Sequence, residues 1–561
     1  MESILDLRDD GRLSAENAKS ISLIATDVRS EYNKYVADLV KANNIAGMQF
    51  FLKATCRDTG MSRTLDRFYR IALLELKLKE GVSFDCIVTS SKSVAFVVRQ
   101  LLTNYKSCAN IQIESSKNSL LMFIMAFSMN IYKCFNHWFW PKIFRMKIEL
   151  SEPIVLLDTF LSKDSFNKNL KLNDRYFPGL VDHFRERDSL YYLPTLSKFR
   201  YPWEWFKFFL DSSRTSENIL LKENYLKFVD YLSAIWKSIA LPKVIKKIPQ
   251  WRGLNVSKIV LDDIQSDRFS FSITQAVLIY YSFKRYQEQG LLITGVIDWF
   301  ENQVIDRSLI LGVKHFYSNV YIKGYMGFVV SENFAATAPM DYEYNGNVLP
   351  HEILVMGDAY ISEKKKSCSK LKVSTAPAFR LQNALKFHKK QNKNKNIVLL
   401  VMPIAMLEAK EIINFVLKSP ILTKYKLMIK IHPTYSKAEF VKLVPDSLNG
   451  IFSFYDGDLV SISNEVSFVL TSVSTTAVIE FVVCKVPVVI IGNGLVPVDN
   501  LLFGVLDRKY WNLVYKKEDL NELILNGMAS SSVNPNSLAE KVTTTSVNRM
   551  MNFNNNLKSV T

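Results

Sequence analysis

Residues 425–433, YKLMIKIHP, and residues 466–476, VSFVLTSVSTT, decide the fold of this 561-residue chain. Each stretch begins with a short apolar run, which is typical of a buried strand in a parallel sheet. Each ends in side chains that form hydrogen bonds, His-Pro in the first and Ser and Thr in the second. Ligands of open parallel sheets bind in the crevice at the carboxyl ends of the strands. The two stretches therefore predict one α/β sheet with a binding site where its strands end.

The sequence on either side completes this α/β unit. Residues 397–404, IVLLVMPI, and residues 487–493, PVVIIGN, predict two more strands, and residues 408–420 predict a helix between strands. We assign residues 397–530 to a C-terminal α/β domain and residues 531–561 to a polar tail.

The N-terminal half shows the same alternation of short apolar runs and helical patterns, which predicts a second parallel sheet. Its predicted strands are residues 84–90, 152–161, 189–196, 290–300, 321–330 and 351–360. We assign residues 84–360 to this domain and residues 1–83 to a helical N-terminal extension. Residues 361–396 contain eleven Lys and Arg against one acid and predict a basic crossover between the domains. The predicted fold class is α/β, with two Rossmann-like domains facing each other across a cleft.

The composition excludes several classes of protein. Hydrophobic residues make up 48% and charged residues 22%, unlike a disordered tail, a collagen or a coiled-coil rod. Lys and Arg exceed Asp and Glu by 71 − 54 = 17, which favours anionic partners. The sequence has no RNP-like, helix-turn-helix or zinc-finger pattern, so we expect no nucleic-acid partner.

The six cysteines are scattered without a CxxC spacing, which predicts a reducing, cytoplasmic setting. The six histidines form no HExxH motif and no cluster, so we expect no metal site. The N-terminus, MESILDLRDDGRLSAE, is charged where a signal peptide needs an apolar core, so we expect no export.

One apolar segment bears on membrane contact. Ser119–Trp140 contains a single charge, Lys133, and lies in a hydrophobic insertion at about residues 115–148. It is long enough to span a bilayer, but polar residues dilute it, and its aromatic end is followed by cations. A buried core hairpin, an interfacial segment and a true span all remain open. Residues 236–252, WKSIALPKVIKKIPQWR, predict either a solvated basic helix or a second membrane-facing surface.

The strand ends of the C-terminal domain predict an anion site suited to a phosphate. Ser474 and Thr475 are expected to open a helix, where hydroxyls and backbone N–H groups meet the positive end of the helix dipole. Glu480 lies further along that helix, where it could reach a ribose. His432 could hold a phosphate oxygen, and Pro433 fixes the turn that aims it. An N-cap and a simple turn are the plainer interpretations of these motifs. The predicted nucleotide-binding residues are His432, Pro433, Ser472, Ser474, Thr475 and Glu480.

This arrangement of motifs resembles a known family. A strand ending in Lys430-Ile431-His432-Pro433, a strand ending in Thr471–Thr476, a helix with Glu480 and the strand PVVI are similar to the C-terminal half of bacterial capsule and sialyltransferase-like GT-B glycosyltransferases. In that family the HP and S-S/T motifs bind the CMP part of a CMP-sugar. Residues 174–180 (DRYFPGL), 299–303 (WFENQ), 324–328 (GYMGF) and 376–380 (APAFR) are also similar to surface-carbohydrate biosynthesis proteins of this group. The resemblance extends over about residues 84–510.

The chain departs from the family at the general base. Sialyltransferases of this group use a D/E-D/E-G motif, and the domain predicted at 84–360 has none. The run Asp9-Asp10-Gly11 precedes that domain, and we interpret it as a solvated terminus. Glu301, Asp158 and Asp174 are the candidate carboxylates, and the aromatic neighbours of Glu301 favour it because they should raise its pKa. A capping or ion-paired acid is the plainer interpretation of each.

The resemblance implies a metal-independent glycosyltransferase that needs no bound cofactor and uses a CMP-sugar as co-substrate. Arg380 and Lys430 would meet the phosphate or carboxylate of the donor, although Arg380 could also be an ordinary linker cation. The expected donor carries an acidic sugar, Kdo-like or nonulosonic, and the expected acceptor is a lipid-linked glycan or a surface polysaccharide such as capsule or lipopolysaccharide. We expect the protein on the anionic inner face of the cytoplasmic membrane. A nucleotide-sugar epimerase, a CDP-glycerol-type transferase and a catalytically silent scaffold subunit are the alternatives.

Overall fold

The computed structural model describes residues 4–114, 119–144, 152–184, 189–268, 270–329, 333–387, 396–442, 451–472, 475, 477–492, 494–498, 511–528 and 535–553. These residues form three parallel sheets, of three, six and six strands, with helices packed around them. The predicted fold class is confirmed: the two larger sheets belong to two α/β domains that face each other across a cleft.

The small sheet belongs to an N-terminal unit of residues 4–114. It consists of β1 (Ile4–Asp6), β2 (Cys86–Thr89) and β3 (Asn110–Ile113), and its helices are α1 (Ala15–Ala42), α2 (Lys53–Cys56), α3 (Thr64–Lys79) and α4 (Lys92–Asn104). The predicted boundary at residue 84 differs from this arrangement, because β2 pairs with β1, Leu5 opposite Ile87, and not with the larger sheet. A three-residue strand such as β1 is too short to show a periodic pattern.

The middle domain contains the first six-stranded sheet, in the order β5-β4-β6-β7-β8-β9. Its strands are β4 (Ile154–Leu161), β5 (Leu190–Leu196), β6 (Ile293–Trp299), β7 (Tyr321–Met326), β8 (Glu352–Val355) and β9 (Lys372–Thr375). Its helices are α5 (Ser119–Ile143), α6 (Leu180–His183), α7 (Pro202–Arg214), α8 (Phe228–Ala240), α9 (Ser257–Asp267), α10 (Phe271–Glu288), α11 (Val304–Phe316), α12 (Asp341–Asn345), α13 (Ile361–Lys366) and α14 (Gln382–Leu385). The strand order reverses between β4 and β6, so a crevice opens at their carboxyl ends.

The predicted crossover at residues 361–396 is folded over most of its described length. It contributes α13, β9 and α14, and β9 pairs with β8 at the edge of the middle sheet. The lysines that suggested a linker are mostly exposed here, because an edge strand and short surface helices present many side chains to solvent. The basic run that ends the segment lies outside the described residues.

The C-terminal domain contains the second six-stranded sheet, in the order β12-β11-β10-β13-β14-β15. Its strands are β10 (Ile397–Val401), β11 (Lys426–Lys430), β12 (Phe452–Phe454), β13 (Val466–Thr471), β14 (Val488–Ile491) and β15 (Asn512–Val514). Its helices are α15 (Met406–Leu417), α16 (Lys437–Val441), α17 (Leu459–Ile462), α18 (Ala477–Val483) and α19 (Lys517–Asn526). The order reverses between β10 and β13, next to the predicted phosphate site.

The end of the chain returns to the middle domain. Beyond the C-terminal domain lie α20 (Pro535–Leu538) and α21 (Thr544–Met551). Val547 and Met550 are buried in the apolar core of the middle domain, and Lys323 Nζ donates hydrogen bonds of 2.8 Å to the carbonyls of Met550 and Asn552. The described part of the predicted polar tail is therefore folded and belongs to the middle domain. Its few apolar side chains recur at helical spacing, so one face of α21 can pack against the core.

The apolar segment Ser119–Trp140 lies in helix α5, a single helix of 25 residues, so the core hairpin, one of the three alternatives, is not what forms. It buries polar side chains: Asn130 donates to Thr274 Oγ1 at 2.9 Å, and His137 Nδ1 lies 2.8 Å from Glu223 Oε1. It exposes apolar ones, among them Leu121, Ile124, Met125, Met129, Ile131 and Phe135. Among the described residues, no helix combines the length and the apolar character that crossing a membrane requires. The arrangement inverts the usual amphipathic pattern of a surface helix.

Candidate functional site

The two domains enclose a cleft at the switch points of their sheets. One cavity of about 360 Å³ lies on the C-terminal domain, and a second of about 420 Å³ lies on the middle domain. We call them the C-terminal half and the middle-domain half of the cleft. Both halves are lined by Phe334, Arg380, Ile404, His432 and Pro433, so they form one continuous space.

The C-terminal half brings together most of the predicted nucleotide-binding residues that the structure describes. It is lined by residues at the ends of β10, β11 and β13 and on α18, among them Val401, Met402, Lys430, His432, Pro433, Thr475 and Glu480. Ser472 is buried and is not part of this lining. Ser474 lies outside the described residues. The strand ends quoted above thus meet in one cavity, as the parallel register of β10, β11 and β13 requires.

His432 is held in one orientation. The backbone N–H of Thr434 donates to His432 Nδ1 at 3.3 Å, and the hydroxyl of Thr434 lies 2.8 Å from the same nitrogen. Since Nδ1 accepts, the neutral ring carries its proton on Nε2. Desolvation and the nearby charges of Lys198 and Arg380 lower the pKa of His432. The ring is therefore a neutral Nε2–H donor, and the negative charge of an approaching phosphate would raise its pKa by offsetting those cations, so that the ring takes up a proton from solvent.

Glu480 is the half-buried acid of the C-terminal half. Desolvation raises the pKa of its carboxyl to about 7, although Arg380 and Lys430 act to lower it. Lys430 is anchored beside it, because its Nζ donates to the carbonyls of Asp456 at 3.2 Å and of Gly457 at 2.6 Å. A carboxyl with such a pKa can either donate or accept a hydrogen bond near neutral pH, which suits recognition of a sugar hydroxyl.

Arg380 stands where the two halves meet. It follows β9 in a 3-10 turn over Phe379–Leu381, and its guanidinium carbon lies 6.0 Å from the centre of the Trp299 ring. Its charge acts on both Glu301 and Glu480. A cation at this junction can contact an anionic group shared between the two halves, such as a phosphate.

Glu301 lies in the middle-domain half, just beyond β6. Trp299 Nε1 donates to Glu301 Oε1 at 2.8 Å, and Gln303 Nε2 donates to Oε2 at 2.6 Å. Asp306 fixes the turn at residues 301–303, because its Oδ2 accepts hydrogen bonds from the backbone N–H groups of Glu301 and Gln303, both at 2.9 Å. Burial raises the pKa of Glu301, with Asp58 adding to the shift. The carboxyl is thus oriented, partly desolvated and directed at the cleft.

Two cleft residues, Asp58 and Lys198, belong to none of the sequence motifs described above. Asp58, from the N-terminal unit, lines the middle-domain half together with Arg175, Tyr176 and Lys198. The neighbour of Asp58, Arg57, is fully buried and pairs with Glu343 of the middle domain at 2.9 Å, which fixes this segment against the cleft. Arg175 and Tyr176 lie in the DRYFPGL stretch, but only packing across long sequence separations brings Asp58 and Lys198 to them, so no local motif could have identified those two.

Two of the three candidate carboxylates lie outside the cleft lining. Asp174 Oδ1 accepts the backbone N–H groups of Tyr176 and Phe177, both at 2.9 Å, and Tyr192 donates to Oδ2 at 3.1 Å. Asp174 is therefore a turn cap. Asp158 is buried and lines a separate, smaller cavity behind the cleft. Glu301 alone of the three lines the cleft.

The interpretation of Asp9-Asp10-Gly11 as a solvated terminus is wrong. Asp9 pairs with Arg67 at 2.9 Å, and Gly11 is buried, with its carbonyl accepting from Arg70 at 2.7 Å. This turn follows β1 and packs between the N-terminal unit and the C-terminal domain, since Leu13 N donates to Gly494 O at 3.1 Å. The run is structural in its hydrogen bonding and lies outside the lining of the cleft.

A second Asp/Gly triplet, Asp456-Gly457-Asp458, follows β12. Asp458 caps α17, because its Oδ2 accepts the backbone N–H of Val460 at 3.2 Å. The carbonyls of Asp456 and Gly457 anchor Lys430. The triplet thus supports the C-terminal half of the cleft from one side.

The chain matches no protein-family model and no curated protein sequence. Its structure is similar to solved structures at low identity. Acinetobacter baumannii MurG is 11% identical with a TM-score of 0.34, over 67% of this chain and 90% of that one. Anabaena Alr3699/HepE in complex with UDP and glucose is 9% identical with a TM-score of 0.38, over 71% and 97%. A UDP-N-acetylglucosamine 2-epimerase is 11% identical with a TM-score of 0.38, over 72% and 95%. Likeness at this level implies nothing about the chemistry of this chain.

Proposed function

We propose that the protein is a GT-B glycosyltransferase that uses a nucleotide-sugar donor. The observation that carries this proposal is that Glu301 lines one half of the cleft and His432 and Glu480 line the other. Arg380 lines both halves. Glycosyl transfer needs a base for the acceptor hydroxyl and a stabiliser for the phosphate that leaves. The two halves supply one each.

The donor binds in the C-terminal half. Glu480 and Thr475 are suited to hydroxyl groups of a nucleoside, and His432, Lys430 and Arg380 are suited to its phosphate. Our preferred donor is a CMP-linked acidic sugar, for which Arg380 and the cations Arg175 and Lys198 would face the sugar carboxylate. This preference rests on the family resemblance of the HP and S-S/T motifs and on that cation set.

The reaction follows from these positions. Glu301, as a carboxylate, takes the proton of an acceptor hydroxyl, and the oxygen forms a bond to the anomeric carbon of the sugar. The bond from that carbon to the phosphate oxygen breaks, and the nucleotide leaves with the electron pair. Arg380 and His432 stabilise the charge that develops on the leaving phosphate. The donor phosphate is held by side chains in this scheme, so transfer itself needs no metal ion.

We further propose that the acceptor is lipid-linked and that the protein binds the inner face of the cytoplasmic membrane. Helices α5, α7 and α8 pack side by side, with Trp138 against Phe228 and Trp140 against Phe206. Their outer faces expose Leu121, Ile124, Met125, Met129, Phe135, Trp203, Phe206, Phe228, Leu232 and Trp236. We call this set the three-helix apolar surface.

Charge and polarity both favour a bilayer as the partner of this surface. Lys142, Lys207 and Lys243 lie exposed on or directly after the same three helices, followed by Lys246 and Lys247. Exposed aromatic and aliphatic side chains beside cations match the headgroup region of an anionic membrane. Asn130 and His137 of α5 face the protein interior and form hydrogen bonds there, so the apolar face of α5 points to solvent. An extended apolar face in this position marks an interaction surface.

A nucleotide panel tests the catalytic proposal. Thermal unfolding would be followed with CMP, CDP, UDP and GDP, because a ligand that binds only the folded protein raises the melting temperature. Stabilisation by CMP above the others supports a CMP-sugar donor. A preference for UDP would favour an epimerase, and one for CDP a CDP-glycerol-type transferase. No response to any nucleotide would contradict the proposal and favour a silent scaffold.

A further inference from the structure

A small closed cavity lies behind the cleft at the switch point of the middle sheet. It holds about 10 Å³, close to the volume that one water-sized particle occupies. Three aspartates line it: Asp158 in the middle of β4, Asp298 near the carboxyl end of β6, and Asp306 in the first turn of α11. Lys222 is the cationic residue of the lining.

The three carboxylates converge on one point. One oxygen from each lies within 4.8 Å of the oxygens of the other two. Their residues are 4%, 0% and 2% exposed for Asp158, Asp298 and Asp306. Both oxygens of Asp298 are buried and receive no hydrogen bond from an N–H or hydroxyl group in the described part of the chain; the group that interacts with them is the carboxyl of Asp158, which is itself an acid. A fully buried carboxylate without a donor is strongly disfavoured, so it needs either a proton or a cation as its partner.

The local side chains do not balance this charge. The carboxylates would carry −3, and Lys222 contributes +1 but is also paired with Glu223 at 3.1 Å and donates to the carbonyl of Pro194 at 3.0 Å. His137, on the far side of Glu223, is neutral in its buried setting, because desolvation lowers its pKa. Either protons or a bound cation must offset the remaining negative charge.

We propose that this cavity binds one hard divalent cation, of the Mg²⁺, Mn²⁺ or Ca²⁺ class, through Asp158, Asp298 and Asp306. Carboxylate oxygens are the ligands these ions prefer, at roughly 2.0–2.6 Å. Oxygens that lie no more than 4.8 Å apart can all reach one ion at such distances. The convergence of three buried carboxyls on one point, with only one shared lysine in the lining and no N–H or hydroxyl donor on Asp298 in the described part of the chain, favours a divalent ion over a water molecule.

The cation would position the catalytic turn without touching the substrate. Asp306 uses Oδ2 to hold the backbone N–H groups of Glu301 and Gln303, so its other oxygen is the one available to an ion. The cavity shares no lining residue with either half of the cleft. An ion here would lock Asp306, and through it the turn that presents Glu301. Binding of the ion does not depend on the proposed reaction.

The test measures ion binding to the full-length protein in the absence of nucleotide. Protein stripped with EDTA would be titrated with Mn²⁺, followed by the electron paramagnetic resonance signal of the free ion, and with Mg²⁺ and Ca²⁺, followed by thermal unfolding. We expect one Mn²⁺ bound per chain and a rise in melting temperature of about 3–8 °C at an ion concentration about 100 times the Kd.

Asp298→Asn and Asp174→Asn form the matched pair of variants. Both replace a carboxyl of the middle domain, buried in Asp298 and half-buried in Asp174, but Asp174 is a turn cap away from the cavity. Asp298→Asn should lose the stoichiometric ion and the thermal response, and Asp174→Asn should keep both. If the wild type binds no ion and Asp298→Asn raises the melting temperature, the aspartates share protons instead and the proposal is wrong. Retention of the ion by a well-folded Asp298→Asn would also overturn it.

Discussion

Trp299 Nε1 donates a hydrogen bond of 2.8 Å to Oε1 of Glu301, two residues further along the chain. The indole ring is buried, so the bond holds one carboxylate oxygen against the wall of the cleft. Gln303 holds the other oxygen, and Asp306 fixes the backbone between them. A base held in this way loses little rotamer freedom when the acceptor arrives, which is the preorganisation that proton transfer requires.

Replacement of this base should separate chemistry from binding. Glu301→Gln keeps the shape of the side chain but cannot accept the proton, so we expect turnover to fall by about 10²-fold or more, with donor affinity nearly unchanged. Steady-state kinetics and calorimetric titration of nucleotide would measure the two effects. Asp174→Asn is the control and should keep near-normal turnover. Loss of turnover in the control, with an active Glu301→Gln, would transfer the role to Asp174.

The pH–rate profile gives a second check on the same residue. Burial raises the pKa of Glu301 above the ordinary 4.5 of a glutamate. Only the ionised form can take a proton, so kcat/KM should rise with pH through this raised pKa. The acidic limb of the profile should therefore lie above the ordinary range for a glutamate. A limb that begins at an unshifted value would indicate a different base.

His432 should contribute to nucleotide binding. His432→Ala removes a charge-assisted hydrogen bond to phosphate, which is worth about 1.5–3 kcal/mol, so the Kd should rise by about 10- to 100-fold. Thr475→Ala should weaken binding as well, by less. His183→Ala, on α6 away from the cleft, is the matched control. Equal affinities for His432→Ala and this control would remove His432 from the site.

Glu480 predicts a pH dependence of stability. Its folded-state pKa, about 7, lies above the ordinary 4.5, because its carboxyl is desolvated. Between these values the folded protein holds a proton that the unfolded chain releases, so this group lowers stability as pH rises toward about 7, with no further change above it. The fall in melting temperature from about pH 5 to about pH 8 should be smaller in Glu480→Gln than in the wild type. Glu465→Gln, an exposed acid of the same domain, should behave as the wild type does.

Membrane association should depend on two separable contributions. Vesicles with anionic lipid should retain the protein at low salt, and rising salt should release part of it, since screening weakens the attraction of the lysines. Trp203 and Trp236 are 63% and 66% exposed, whereas Trp138 and Trp140 are half-buried against neighbouring helices. Trp203→Ser with Trp236→Ser should therefore weaken the salt-resistant part. Co-sedimentation measures both, and unchanged binding in the double variant would exclude the three-helix apolar surface.

The local patterns predicted a large part of the fold. Most long strands of both larger sheets lie within the predicted apolar runs, and the helix predicted at residues 408–420 corresponds to α15, Met406–Leu417. The phosphate-binding side chains beyond β11 and β13 could also be predicted from the sequence, because His432 and Thr475 lie within a few residues of the ends of strongly apolar strands. Short edge strands such as β1 and β9 were missed, since a few residues cannot establish a period.

By itself the sequence determined the two α/β domains, the strand ends that form the C-terminal half of the cleft, and Glu301 as a carboxylate beside aromatic rings. Tertiary structure alone decided that Asp58 joins the cleft, that α5 turns its polar side inward, and that Asp158 meets Asp298 and Asp306 in a closed cavity. The physical reason is the range of the interactions. Periodic burial is a property of neighbouring residues, but the partners of a buried charge come from distant segments that meet only when the core packs.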